Sequence, residues 1–177
     1  MKTLKFIALF ALVFAATQVN AQTDKATTAR IINAQNYVFV ANTALPLNAS
    51  DINKVMNRMP GYSGGGNINL TGANYDLSVT RDSLTAYLPY FGRSYTPKMG
   101  GINEGGIRFT SKNFSYKMTT RKKGGWNISM DPKDVKENYR LTLLVTESGY
   151  GTLTVNSNNE QTITFNGYIA ETKPGKK

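Results

Sequence analysis

Residues 75–95 read YDLSVTRDSLTAYLPYFGRSY, and the periodicity of this stretch decides the fold class. Tyr75, Leu77 and Val79 alternate with Asp76, Ser78 and Thr80. Past Arg81-Asp82, Leu84, Ala86 and Leu88 alternate with Ser83, Thr85 and Tyr87. Successive side chains on a strand point to opposite faces, so each run carries one apolar and one polar face. The spacing predicts two strands joined by a tight turn. Pro89 then ends the second ladder, because it has no N–H to donate and its own φ is fixed. Beyond it the chain makes a dense aromatic corner from Tyr90, Phe91, Gly92, Arg93 and Tyr95.

Downstream, the same alternation recurs from Gly106 onward. Apolar faces are carried by Ile107 and Phe109; by Phe114, Tyr116 and Met118; by Trp126, Ile128 and Met130; by Tyr139, Leu141, Leu143 and Val145; by Leu153 and Val155; and by Ile163, Phe165 and Ile169. Turn-forming residues separate the runs: Ser111-Lys112-Asn113, Lys123-Gly124-Gly125, Asp131-Pro132, Glu147-Ser148-Gly149 and Asn156–Asn159. Connections this short favour antiparallel neighbours. Upstream, Tyr37–Ala41 (YVFVA) is a further strand, and residues 24–36 carry a helical spacing of Ala26, Ala29, Ile32 and Ala34. Ser50 or Asp51 can cap a helical turn reaching Asn57, with Pro60-Gly61 as its stop.

The fold expected is therefore all-β: an antiparallel meander of about nine strands forming a small barrel, with a short N-terminal helix. A two-sheet sandwich is the alternative, since inward and outward residues alternate in both.

The N-terminus has a different character. Lys2 and Lys5 precede an apolar run, FIALFALVFAA at residues 6–16, and Val19-Asn20-Ala21 offers small residues where a signal peptidase reads. The run is shorter than the ~20 apolar residues a bilayer span needs. Residues 1–21 are expected to be a cleaved signal peptide, residues 22–171 a single β domain and residues 172–177 a basic disordered tail. No cysteine follows the apolar run, so a lipid anchor is not expected. A periplasmic or extracellular protein follows, with no transmembrane segment. Loss of Lys2 and Lys5 takes the net charge from +10 to +8. Export makes anionic surfaces or polysaccharides the partners a basic excess would suit, rather than nucleic acid.

The chain has no histidine and no cysteine. Ser-His-Asp and Cys-His catalysis, thiolate chemistry and the usual zinc sites are therefore excluded. Two glycine clusters, Gly61-Gly64-Gly65-Gly66 and Gly100-Gly101-Gly105-Gly106, bracket the central hairpin. Neither continues into Gly-Lys-Ser/Thr or matches a dinucleotide fingerprint, so tight or flexible loops are expected rather than phosphate cradles. No cofactor and no metal is expected. Carboxylates remain the possible catalysts, and Glu104 with Asp76 is the pair a glycan hydrolase would use.

The residues best suited to binding are Tyr87, Tyr90, Phe91, Arg93 and Tyr95. Flat aromatic faces beside hydroxyl and guanidinium donors suit sugar rings, peptides or aromatic ligands. The competing reading is that Tyr90 and Phe91 plug the end of a barrel. Lys112, Lys117 and Arg121-Lys122-Lys123 form a second feature, a basic patch or simply a solvated hairpin tip.

With Leu88-Pro89-Tyr90-Phe91-Gly92-Arg93 at its centre, followed by GGIRFTSKNFSYK, GGWNISM and a closing Gly149-Tyr150-Gly151 hairpin, the chain resembles a family of small secreted Gram-negative bacterial domains of unknown function. The resemblance implies a shared role for the LPYFGR block and supplies no activity, substrate or cofactor. The function expected is a non-enzymatic binding or interaction module for a small molecule, glycan or envelope protein. The alternatives are the carboxylate hydrolase and an envelope scaffold that pairs through a strand edge.

Overall fold

The computed structural model describes residues 24–47, 66–95 and 105–172. The helical turn expected after Ser50, Glu104, and five of the eight clustered glycines lie outside those residues. Helix α1 spans Lys25–Ala34. Asp24 caps it by accepting from the Thr27 N–H at 2.9 Å and the Thr27 hydroxyl at 2.8 Å, which satisfies donors that the first helical turn leaves open. Gln35, in the left-handed region at φ 52°, ends it.

Ten strands follow among the described residues: β1 (Tyr37–Pro46), β2 (Ile68–Asn69), β3 (Asp76–Val79), β4 (Leu84–Leu88), β5 (Ile107–Ser111), β6 (Phe114–Thr120), β7 (Trp126–Pro132), β8 (Tyr139–Val145), β9 (Tyr150–Ser157) and β10 (Ile163–Ala170). Nine of them are the strands that the alternation predicts. The exception, β2, is two residues long and pairs only with β1, too short for any period to register. β1 runs past Ala41 to Pro46 because a register shift between Ala41 and Thr43 lets its pairing with β10 resume.

The strand order is β5-β4-β3-β1-β10-β9-β8-β7-β6, in a nearly closed barrel. All eight steps along that path are antiparallel. After an even number of reversals, β5 and β6 point the same way. Only Lys112 and Asn113 connect them, too short for the crossover that a parallel pair needs. The chain therefore does not turn back there. It bends and continues, leaving β4 on one side and joining β7 on the other. Ser111-Lys112-Asn113 reads as a hairpin turn in sequence and is in fact the corner that closes the barrel. Asp134, in the β7–β8 loop, holds the corner: its carboxylate accepts from the Ser111 hydroxyl and from the backbone N–H groups of Lys112 at 2.9 Å and Asn113 at 3.2 Å. Those donors favour the charged form and hold the Asp134 carboxyl below the usual range.

Inward-facing residues fill the barrel. Tyr37, Phe39, Leu77, Val79, Leu84, Leu88, Ile128, Leu141, Leu143, Leu153, Ile163 and Phe165 are all buried. Contacts reach across the interior as well as along the sheet: Phe109 of β5 stacks on Tyr139 of β8 with centroids 5.2 Å apart, and the Tyr37 and Tyr116 hydroxyls lie 3.4 Å apart. Trp126, which the alternation places in the core, is only half-buried, because it is the first residue of β7, in the last inward-facing row at that end, between Val145 of β8 and the exposed Thr120 of β6.

α1 covers one end. Ile31 and Ile32 are buried, Arg81 in the β3–β4 turn donates to the Ala34 carbonyl at 3.3 Å, and Lys25 pairs with Glu147 in the β8–β9 turn at 2.8 Å. The other end carries the segment after β4 and the β7–β8 and β9–β10 loops.

Candidate functional site

Pro89 leads β4 into a strap, residues 89–95, that crosses the end of the barrel opposite α1. The Tyr90 hydroxyl donates to the Arg93 carbonyl at 2.8 Å and lies 3.1 Å from the Gln161 carbonyl. The Gln161 N–H donates to the Arg93 carbonyl at 3.1 Å, the Tyr95 N–H to the Asn159 carbonyl at 2.8 Å, and Ser94 bridges to Glu160. The strap is thus sewn to the β9–β10 loop by its backbone. Tyr90 and Phe91 pack against the hydrophobic core. Gly92 has a packing reason: a Cβ there would sit 2.5 Å from the Tyr90 hydroxyl.

Under the strap lies Glu160, 5% exposed, close to Tyr90 and Tyr139. Burial, reinforced by the Glu160 charge, pushes the Tyr90 hydroxyl up to about 12 and raises Tyr139 as well. Both phenols therefore stay protonated as donors at any ordinary pH. Tyr90 and Phe91 act as the seat of the strap, while Arg93 and Tyr95, the latter 67% exposed, project from its rim.

Tyr87 belongs to a different arrangement. It lies on the outer face of β4, directly paired with Asp76 of β3 and Arg108 of β5. Its ring stacks on Tyr75, centroids 5.6 Å apart and planes 27° from parallel. The Arg108 guanidinium carbon is 4.5 Å from the Tyr87 ring centroid, with Nη2 donating to the Tyr87 hydroxyl at 3.3 Å. The result is a row of guanidinium, phenol and phenol that leads from the outer surface, where Tyr87 is 41% exposed, to Tyr75, half-buried against the core.

Residues 19–169 match the family described as Domain of unknown function (DUF4251). This chain belongs to the DUF4251 family. Among solved structures it is similar to a DUF4251 family protein from Bacteroides eggerthii DSM 20697, at 20% identity over 83% of this chain and 87% of that one, with a TM-score of 0.55. That likeness concerns the fold. No curated protein matches.

In this DUF4251 domain the five residues expected to bind are divided between two places. Tyr87 sits in the outer row, Tyr90 and Phe91 under the strap, and Arg93 and Tyr95 on its rim. Tyr75 and Arg108 complete the row: the alternation puts Tyr75 with Leu77 and Val79 on the apolar face, but it precedes β3 and stacks on Tyr87, while Arg108 was not singled out by the sequence. Both are within quoted strand segments, but their meeting with Tyr87 depends on cross-strand register. Asp76, on the same outer face, is half-buried, and burial raises its carboxyl above the usual range. Its expected partner Glu104 lies outside the described residues. Among the described residues no three acidic groups gather as a metal site would require.

Proposed function

We propose that this DUF4251 domain is an exported, non-enzymatic binding module, with the outer row of Arg108, Tyr87 and Tyr75 and the strap rim at Arg93 and Tyr95 as its recognition surface. The Arg108–Tyr87–Tyr75 stack carries the reading. A guanidinium held over a ring and hydrogen-bonded to its hydroxyl has already given up part of its rotational freedom, so less ordering entropy is lost when its planar donors meet a carboxylate, a phosphate or vicinal hydroxyls. The neighbouring rings offer apolar area beside those donors, the combination that sugar and peptide ligands use. The N-terminal basic and apolar pattern of residues 1–21 supports export.

The test is titration of the isotopically labelled domain with a panel of acidic and neutral glycans and peptides, followed by nuclear magnetic resonance. Arg108→Ala and Arg93→Ala should weaken the binding found while leaving the melting midpoint within a few degrees, since an exposed cation–π contact contributes only about 0.5–1 kcal/mol. Phe91→Ala should instead melt early. A wild type that binds nothing on the panel, or Arg108→Ala and Arg93→Ala variants that bind as wild type does, would remove the proposal.

A further inference from the structure

The β6–β7 hairpin presents a feature that the strap and the outer row do not use. Residues 112–130 hold five cations and no acid. Four of the five, Lys117, Arg121, Lys122 and Lys123, are exposed on the outer half of β6 and on the turn that follows. The turn is tight: the Arg121 N–H donates to the Gly125 carbonyl and the Gly124 N–H to the Arg121 carbonyl, each at 3.0 Å, with Gly124 and Gly125 at φ +85° and +84°. Three consecutive cations are therefore held together at one point rather than spread along a mobile segment.

Elsewhere on this surface Lys25, Arg30 and Arg140 form ion pairs with Glu147, Glu171 and Asp131. Among the described residues none of the four hairpin cations does. Of the acids beside the hairpin, Glu147 packs against Gly124 with its carboxylate held by Lys25 at 2.8 Å, and Asp131, at the far end of β7, is held by Arg140 at 3.1 Å. Beside the cations Met118 is 37% exposed, on the face it shares with the half-buried Trp126.

We infer that this hairpin tip docks the protein on an anionic phospholipid surface. The shape decides against a small anion: a two-stranded tip exposed from Lys117 to Lys123 encloses nothing, and suits a surface broader than itself. The composition favours a bilayer over a soluble polyanion, because an exposed thioether next to the cations has an apolar layer to enter only in a membrane. The tip lies at the α1 end of the barrel, since its turn abuts Glu147, and the strap lies at the other. Docking this way leaves the strap end facing away from the membrane. The inference stands on this geometry and does not depend on the binding role proposed for the outer row.

The experiment is co-sedimentation of the chain beginning at Gln22 with phosphatidylcholine vesicles and with mixed phosphatidylglycerol–phosphatidylcholine vesicles, at low and high salt. Binding is expected only to the anionic vesicles and should fall with salt. Neutralising the turn as R121Q/K122Q/K123Q should weaken partitioning roughly a hundredfold, at about fivefold per cation, with the melting midpoint kept. Met118→Ser should weaken it several-fold without altering the salt dependence. The charge-matched pair K122Q/K123Q and K133Q/K136Q separates position from net charge, because Lys133 and Lys136 lie in the β7–β8 loop at the far end. Equal losses from the two pairs, equal binding to both vesicle types, or binding to soluble dextran sulfate with none to vesicles would each overturn the inference.

Discussion

Gly151 offers the sharpest test of how the barrel is packed. It sits in β9 opposite Gly167 of β10 and Val145 of β8, facing inward. A Cβ built on it would lie 2.9 Å from both Cδ2 and Cε2 of Phe39 and 3.5 Å from Cδ1 of Leu143. Phe39 and Leu143 are fully buried, so neither ring nor methyl can retreat into solvent. The Gly151 backbone is not in the left-handed region, so alanine there meets no backbone strain. Alanine also lowers the conformational entropy of the unfolded chain, which by itself would stabilise the fold by about 0.4–1 kcal/mol. Overpacking a full core costs about 1–3 kcal/mol. Gly151→Ala should therefore destabilise by about 1–2 kcal/mol net, or a fall of about 2–8 °C in melting midpoint for a domain of this size.

Phe39→Leu alone leaves a cavity and is destabilising too. In the double variant the shorter leucine side chain vacates the space that the new methyl needs. Urea unfolding of the four proteins should then show a coupling well beyond the ~0.3–0.5 kcal/mol scatter of independent sites, with the double variant more stable than the sum of the singles. Additive losses, or a Gly151→Ala variant as stable as wild type, would refute the claim that Gly151 is there to admit the Phe39 ring.

Two further predictions concern pH. Tyr90 is raised in the folded state, so its contribution is complete below the ordinary tyrosine value near 10 and is lost as pH rises toward about 12; Tyr90→Phe should flatten that part of the alkaline melting profile and lower stability at neutral pH by about 0.5–1.5 kcal/mol for the lost hydrogen bond. An unchanged alkaline profile would show that the strap is not what fails there. Asp134 is depressed, so its contribution is complete above the ordinary aspartate range and is lost as pH falls through its lower folded value. Asp134→Asn should reduce stability at neutral pH and converge with wild type in strong acid, measured as melting midpoint against pH; parallel curves would show that the corner does not depend on that charge.

Alternation in a strand is a local property, which is why so much of the barrel is legible without coordinates. Leu77, Val79, Leu84, Leu88, Ile128, Leu141, Leu143, Leu153 and Ile163 are buried as their period-2 spacing requires. Trp126 is misplaced by the same rule, because burial needs cover from residues on both sides and not only the right face, and Trp126 lies in the last inward-facing row at the end of β7, beside the exposed Thr120. The N-terminal helix was legible too, but of its expected face Ala26, Ala29, Ile32 and Ala34 only Ile32 is buried, beside Thr28 and Ile31, because the face a helix buries is set by what it packs against.

Of the candidate site, the chain order alone made Tyr87, Tyr90, Phe91, Arg93 and Tyr95 one cluster. Folding separates them: Tyr87 points away from the barrel by strand parity, while Pro89 turns the next residues over its end. Arg108 is 21 residues from Tyr87 and meets it only because β4 and β5 pair in one particular register. Nothing within either segment states that register.

From the amino acids by themselves came the all-β class, the strand faces, the N-terminal helix and the absence of histidine and cysteine chemistry, because propensity, period and composition are carried by neighbouring residues. Only the tertiary structure decided that the meander closes as a barrel. Closure depends on Ser111-Lys112-Asn113 being a bend rather than a hairpin, and both conformations use the same polar residues. What selects the bend is a carboxylate 21–23 residues away, Asp134, that satisfies the donors the corner exposes.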